Sequence, residues 1–585
     1  MFLATTSDQQ FWNKHEKILL LGEWCKIYSQ KDIWSKLDYQ VLPYHWDDRD
    51  KRHSDWLYLQ SLHEKYLSEL AGRLNKIHGA NYSDRYWHIL IGPWLFFFIP
   101  VFYDAYLSIR TAIDSKLVSN TWLSDQTWTC HLKENTKEFL LCLRNDEDYR
   151  HYLYSWIIRE HGNVPFETHQ TQPAARASKY FSDTEWLKAK LKKLLTSSTS
   201  FIPDQWQKKV IVESYLSPMN VVKLQLALRQ FPIPFYSEIA LPTLPADKEL
   251  RGELNGLSSN NEFESFLAKI LPQQIPKVFL EGYSAMQKIS SAKFPKRPEL
   301  ILTGVGLYLN EGFKFWAARH ADKVKLIGLQ HGGGWGSARF GVIESHDLNT
   351  FDRFYSWGES GVKHPIVKPM ASPSLSCAKR KIKCNPNGGI LWVGISVLPR
   401  YFYLMVSGCT TSQILSYPKE QELFASSVSP EVHELLLFRL CPTSSRLEEE
   451  ERWFKNDPKL KLYRGNKPMI KQLNECRLSI HTYNGTPVLQ TLSANYPTIL
   501  FMNPDHWELS ESAKPYFEQL RKVGILYDTP ESAASKVNEI YENPLAWWMS
   551  AEVQEAKNIF CQEYARTSEN WLTEWKNELL NLTSD

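Results

Sequence analysis

The chemistry-bearing residues of this 585-residue chain gather first in the stretch Leu326–Gly336, which reads LIGLQHGGGWG. The apolar run from Val324 to Leu329 predicts a buried parallel strand. Its carboxyl end delivers Gln330 and His331 to the edge where open α/β sheets bind their ligands. Gly332, Gly333 and Gly334 let the backbone come close to a ligand and leave the imidazole unshielded. A tight turn capped by the histidine is the competing reading of the same residues. An imidazole of ordinary pKa, about 6.5, can act as a general base, or when protonated as a donor to an anionic leaving group. Glu344 and Asp47 are the alternative bases, each a titratable group at or just after a predicted strand end.

A second constellation lies at Thr482–Gln490, TYNGTPVLQ. A strand at Leu478–His481 runs into it, Thr486 is placed to cap a helix, and Pro487 is placed as the first helical residue. The free amides from Gly485 to Val488 and the positive end of that helix would attract a phosphate ester. Thr482, Asn484, Gly485 and Thr486 are therefore candidate phosphate-binding residues. Arg400, Arg439 and Arg477 add guanidinium groups able to grip oxyanions with two hydrogen bonds, or to pair with structural carboxylates. No acidic dyad of the kind that holds a divalent ion at a strand end stands out, so catalysis without a metal is expected.

Positioning such groups at strand ends requires a parallel sheet, and strands alternate with helices through most of the chain. Strands are predicted at 17–22, 39–44 and 87–91, with a helix of one apolar face through Trp56, Leu59, Leu62, Tyr66, Leu70 and Leu74. The uncharged run Ile89–Phe102 is interrupted by Pro93 and Pro100 and is short for a membrane span, so it reads as a buried strand and the start of a helix. Residues from about 117 to 298 read as helical insertions and loops, with helical stretches around Glu138–Leu143, Trp186–Leu195 and Glu262–Ile270. Strands resume at 299–303, 324–329 and 351–357. Residues 368–389, rich in Pro, Ser, Lys and Asn, have the character of an interdomain linker. Beyond them strands at 390–395, 435–440, 478–481 and 498–501 precede a long final helix with an apolar stripe through Val553, Phe560, Tyr564, Trp571 and Trp575.

Composition excludes several classes. The 68 Lys and Arg against 65 Asp and Glu give a net charge of +3, which provides no field for nucleic acid. Nine cysteines without a CxxC pair argue for reduced thiols and a cytoplasmic setting. The first residues, MFLATTSDQQFW, lack the basic and apolar segments of a secretory signal.

The stretches LGEWC, YHWDDR, IGPW, QHGGGWG, TYNGTPVLQTLSANYPTI and NPDHWELSESAKPYF, with a tail containing two adjacent tryptophans, resemble as an ordered set the transferases of surface-carbohydrate gene clusters, a family built around a leptospiral O-antigen locus. More broadly the chain resembles GT-B glycosyltransferases. That resemblance implies an α/β fold with two Rossmann-like domains: residues 1–375 on the acceptor side, carrying the insertion at 117–298, and residues 386–585 holding the donor, with the terminal helix packing back. It implies a nucleotide-activated sugar as substrate, no separate cofactor, and a glycan or lipid-linked acceptor in O-antigen or capsule synthesis. A lipid-linked acceptor would bring the enzyme to the inner face of a membrane, where the aromatic stretch near Phe96 is the candidate contact. Gln330, Gly332 and Gly333 would then line the donor. Gln490 stands where such enzymes carry a ribose-gripping glutamate, and an amide can still bond hydroxyls without a charge. A CDP-polyol phosphotransferase and a non-catalytic carbohydrate-binding protein of the same fold are the alternatives.

Overall fold

The protein is described here by a computed structural model. It describes residues 1–170, 202–233, 239, 243–360, 364–395, 405, 408, 412–441, 449–463, 465 and 467–582. Sixteen strands among these residues form three sheets, parallel throughout.

The first sheet contains β1 (Phe2–Ala4), β2 (Ile18–Leu20), β3 (Tyr39–Val41), β4 (Asn120–Ser124) and β5 (Phe166–His169), in the order β3-β2-β1-β4-β5. The second contains β6 (Lys209–Val212), β7 (Leu300–Thr303), β8 (Lys325–Leu329), β9 (Arg353–Ser356) and β10 (Val367–Pro369), in simple sequential order. The third contains β11 (Gly389–Val393), β12 (Leu436–Arg439), β13 (Lys461–Tyr463), β14 (Cys476–His481), β15 (Thr498–Phe501) and β16 (Leu526–Tyr527), in the order β13-β12-β11-β14-β15-β16. This third order is that of a doubly wound nucleotide-binding sheet, and its direction of winding reverses between β11 and β14. At that reversal the neighbouring crossovers leave on opposite faces and open a crevice at the strands' carboxyl ends.

The α/β class with Rossmann-like units is the one expected, with corrections inside it. Residues 117–298 contribute β4, β5 and β6 as well as helices, so the N-terminal part holds two sheets. These strands are four or five residues long, too short for periodicity to separate them from loop. The helix expected near Trp186–Leu195 lies outside the described residues. The strand expected at 87–91 is instead part of a 31-residue helix, Asp84–Asp114, capped by Ser83, whose hydroxyl accepts from Tyr86 N. Every residue from Tyr86 to Tyr106 in it is buried. By length and composition this helix could cross a membrane, but its apolar window is wholly packed inside the protein. Phe96 is 4% exposed, so the expected membrane contact at that position is overturned. An apolar run buried on all sides carries no period, and only packing against the Arg49–Ile77, Glu147–His161 and Glu311–His320 helices reveals which element it is.

One continuous apolar core joins the first sheet, that central helix and one face of the second sheet. The linker expected at 368–389 carries the end of β10 and a short helix, Pro373–Lys379. The single long terminal helix resolves into Pro544–Trp548, Ala551–Tyr564 and Trp571–Asn581. The second of these packs on the third sheet's helices. The last crosses back, placing Trp571, Trp575 and Leu579 against the second sheet beside Leu300, Leu302 and Ile327.

Candidate active site at the seam between the second and third sheets

Strands β6, β7 and β8 end side by side, and each hands an aromatic or imidazole ring to the same place. After β8 comes His331, whose ring centroid lies 5.5 Å from that of Tyr308, which follows β7, and 6.0 Å from that of Tyr215, which follows β6. Tyr215 is exposed and has φ +63°, and Glu213 in the same turn has φ +45°, an uncommon backbone region for such side chains. Tyr308 donates a 2.5 Å hydrogen bond to Asp347, which also accepts from Trp335 Nε1. Burial pushes the Asp347 carboxyl well above its ordinary range. His331 Nδ1 is buried with no hydrogen-bond partner among the described residues, and desolvation, opposed by the nearby Leu329 carbonyl, lowers the pKa of the ring to about 4. The imidazole is therefore neutral at neutral pH in the unliganded protein, which suits a base.

The loop following His331 closes on the third sheet. A Cβ on Gly333 would stand 2.4 Å from the Gly485 carbonyl carbon and 2.5 Å from Thr486 N, so the two backbones touch there. Asn484 Nδ2 donates to Ser337 Oγ at 2.9 Å, and Arg339 N donates to Glu508 O at 3.0 Å. Ser510 donates from its backbone to Ser337 O and from its hydroxyl to Gly336 O. The two sequence constellations are thus brought together. The seam is reinforced by Glu508, whose carboxylate accepts from both Arg49 and Arg339.

Other expected site residues turn out to hold the scaffold. Gln330 is buried, accepting from Trp357 N and donating to Gly332 O, so it pins the turn and both ends of its amide are engaged. Glu344 lies on the Val342–Thr350 helix and accepts from Gly336 N at 2.9 Å, stabilising the same loop. Thr482 bridges the winding reversal, bonding Tyr417 OH and donating to Val393 O. Gly485, in extended conformation, is the N-cap of the Thr486–Ser493 helix, so Thr486 is its first residue and not its cap. That helix has no side-chain cap, which leaves its first amides without a side-chain acceptor. Gln490 lies on it, half-buried, without a side-chain hydrogen bond among the described residues. A Cβ on Gly485 would meet the Tyr483 ring at 2.3 Å, so a bulky residue there disturbs the turn as well as any ligand.

Arg439 is engaged by Lys467 O and the Gln472 side chain, and Arg477 is turned to the amino edge of β14, bonding Gly388 O and the carbonyls of Tyr541 and Glu542. Those contacts turn Arg477 away from the phosphate-binding set, whereas both bonds of Arg439 leave from Nη1 and go to uncharged acceptors. Arg400 lies outside the described residues. Asp47 is exposed and accepts from Ser412 Oγ, joining the first and third parts of the chain and not the His331 cluster. Gly332 has open space around its Cα. Sequence reasoning missed Tyr215, Tyr308 and Asp347. The signal for Tyr308 was present in TGVGLY, a glycine-flanked strand end of the same kind as QHGGG.

Comparison over the whole chain sets the class of protein: residues 1–579 match the model of a transferase family, so this is an enzyme that moves a chemical group between substrates. It belongs to the family described as LIC12162 family transferase. No curated protein matches the chain. Among solved structures, the wall teichoic acid polymerase TagF is similar at 9% identity, covering 68% of this chain and 94% of that one, with a TM-score of 0.35. A UDP-N-acetylglucosamine 2-epimerase is similar at 10% identity, covering 64% and 96%, with a TM-score of 0.36. MurG of Acinetobacter baumannii is similar at 11% identity, covering 64% and 99%, with a TM-score of 0.33.

Proposed function

We propose that this transferase moves a sugar from a nucleotide-activated donor to a glycan or lipid-linked acceptor in the synthesis of a bacterial surface polysaccharide such as O-antigen or capsule. The observation that carries the reading is the junction of the His331 loop with the uncapped helix start at Gly485–Thr486, across the seam between two parallel sheets. Helix amides at the winding reversal of a doubly wound sheet suit the donor's phosphates, and Gln490 one turn further on suits its hydroxyls. His331, neutral through burial, suits the removal of a proton from the acceptor hydroxyl. Tyr308, Tyr215 and Asp347 hold and surround that base. The donor is a substrate and no resident cofactor is invoked. All eight described cysteines are free, which accords with a cytoplasmic site of action.

The test is a thermal-shift screen with CMP, CDP, UDP, GDP and dTDP, followed by donor turnover with the nucleotide that binds. A nucleotide at a hundred times its Kd should stabilise the native state by about 2.7 kcal/mol. Release of that nucleotide with transfer of the sugar supports the reading. Transfer of a phosphopolyol from a CDP donor replaces it with phosphotransfer, and indifference to every nucleotide refutes it in favour of a binding role.

A further inference from the structure

Behind the His331 loop, the two long N-terminal helices bring His63, Glu64 and His88 together with ring nitrogens and carboxylate oxygen all within 4.8 Å of one another. The hydrogen bonds around them fix where the protons are. His63 Nε2 lies 3.2 Å from Gly92 O, and its Nδ1 lies 3.1 Å from Glu64 Oε1. Both neighbours only accept, so neither neutral tautomer of His63 satisfies both. His88 Nδ1 lies 3.0 Å from Thr350 Oγ1, whose own proton goes to His346 O at 2.7 Å. Thr350 Oγ1 therefore accepts from His88 Nδ1–H, and the lone pair falls on His88 Nε2. That atom is buried, makes no hydrogen bond among the described residues, and stands 3.8 Å from the same Glu64 oxygen.

Two imidazole lone pairs and a carboxylate aimed at one point repel unless a positive charge lies between them. Protonating His63 alone would satisfy Gly92 O and Glu64 but leave the buried His88 Nε2 lone pair unpartnered beside the same carboxylate, and protonating both rings would place two imidazolium ions in a pack that already contains the buried ring of His346, stacked on His88 at 4.8 Å. One divalent ion satisfies all three donors at once. We propose that His63 Nδ1, His88 Nε2 and the Glu64 carboxylate bind a zinc-class divalent transition metal. Two imidazoles and one carboxylate form a donor set that zinc accepts at about 2.0–2.2 Å, and ligand atoms so held stand about 3.4 Å apart. The observed separations reach that spacing with small side-chain shifts. Gly92 O and Thr350 Oγ1 are the outer partners that set the two tautomers. The Glu64 side chain is 55% exposed, so the fourth position faces solvent. Thr350 and His346 belong to the Val342–Thr350 helix, which carries Glu344 and Asp347, so the ion would brace the back of the candidate active site.

The experiment uses the full chain without an affinity tag, its metal content measured by mass spectrometry before and after dialysis against a chelator. About one zinc per chain is expected as isolated. The stripped protein should melt lower, recover with Zn2+ and not with Mg2+, and take Co2+ with visible absorption of a nitrogen and oxygen site. Glu64→Gln, a substitution at an exposed side chain, should keep the circular dichroism spectrum and lose metal retention. Thr350→Val should weaken Zn2+ binding about 10- to 100-fold while leaving the three ligands in place. The proposal is overturned if the native chain retains no zinc and its melting is indifferent to Zn2+, or if Glu64→Gln, His63→Gln and His88→Gln take up Zn2+ as the native chain does. These readouts do not involve the transfer reaction, so they stand or fall apart from it.

Discussion

Adjacent glycines in the His331 loop should respond oppositely to the smallest possible change. A methyl group at Gly333 would meet the Gly485 carbonyl carbon at 2.4 Å and Thr486 N at 2.5 Å, where ordinary contact begins near 3.4 Å. The loop or the helix start must then retreat by about 1 Å, and both are backbone, so neither can swing aside like a flexible side chain. Over-packing of this kind costs about 1–3 kcal/mol. Because the displaced parts are the candidate base loop and the candidate phosphate site, a 1 Å misplacement should also lower turnover by about a hundredfold. At Gly332 the added methyl meets nothing within 4 Å, and neither position has the positive φ that would make alanine strained. Gly332→Ala should therefore melt and turn over almost as the native protein does. Both variants are to be compared by thermal melting and by turnover of the donor that the nucleotide screen identifies. Equal behaviour of Gly333→Ala and Gly332→Ala in both measurements would refute the close approach across the seam.

His331→Ala should reduce turnover by about a hundredfold or more with a much smaller loss of nucleotide affinity; a folded variant of near-native turnover excludes the base. With its pKa lowered to about 4, the acid limb of kcat should lie well below 6.5, and a limb at 6.5 would mean that the imidazole is not desolvated in the working enzyme. Stability should show the same sign: His131, His331 and His506 are held near 4 and His151 and His481 near 3 by burial. Between those values and about 6.5 the unfolded chain binds protons that the native one does not, so stability is full above 6.5 and falls with pH below it, by up to about 1.4 kcal/mol per pH unit for each histidine. Denaturant midpoints measured from pH 7 to pH 4.5 check this, and a flat profile contradicts it. Gln330→Ala should cost about 1–3 kcal/mol by stranding Trp357 N and Gly332 O, and a loss of nucleotide affinity without a loss of stability would return Gln330 to the ligand site. Glu508→Ala leaves Arg49 and Arg339 facing each other at the seam and should destabilise by about 3 kcal/mol, read as a lower melting temperature.

What the sequence alone determined is local. The apolar runs ending in QHGGG and in TYNGTP declared β8 and β14 and the helix that follows, because a parallel strand buried on both faces is written in consecutive residues. Thr-Pro after a strand declared a helix start, although the cap itself fell to Gly485, since a cap depends on backbone conformation one residue either way. The three strands between 117 and 298 stayed hidden, because each is a few residues long and obtains its order from neighbours far away in sequence. The helix Asp84–Asp114 was misread for a related reason: apolar on every side, it has no stripe to show a period. Which polar residues face a ligand was decided only by tertiary structure. Gln330 and Thr482 have the right side chains at the right strand ends, yet the amides, carbonyls and hydroxyls brought beside them by the fold already engage them. Tyr308, Asp347 and Tyr215 came to His331 from separate strand ends and from a helix beyond. Side chains from 63, 64, 88 and 350 met only because two long helices pack against a third. Sequence fixes what each residue can donate or accept, and the fold, by choosing its neighbours, decides which of those capacities remains for chemistry.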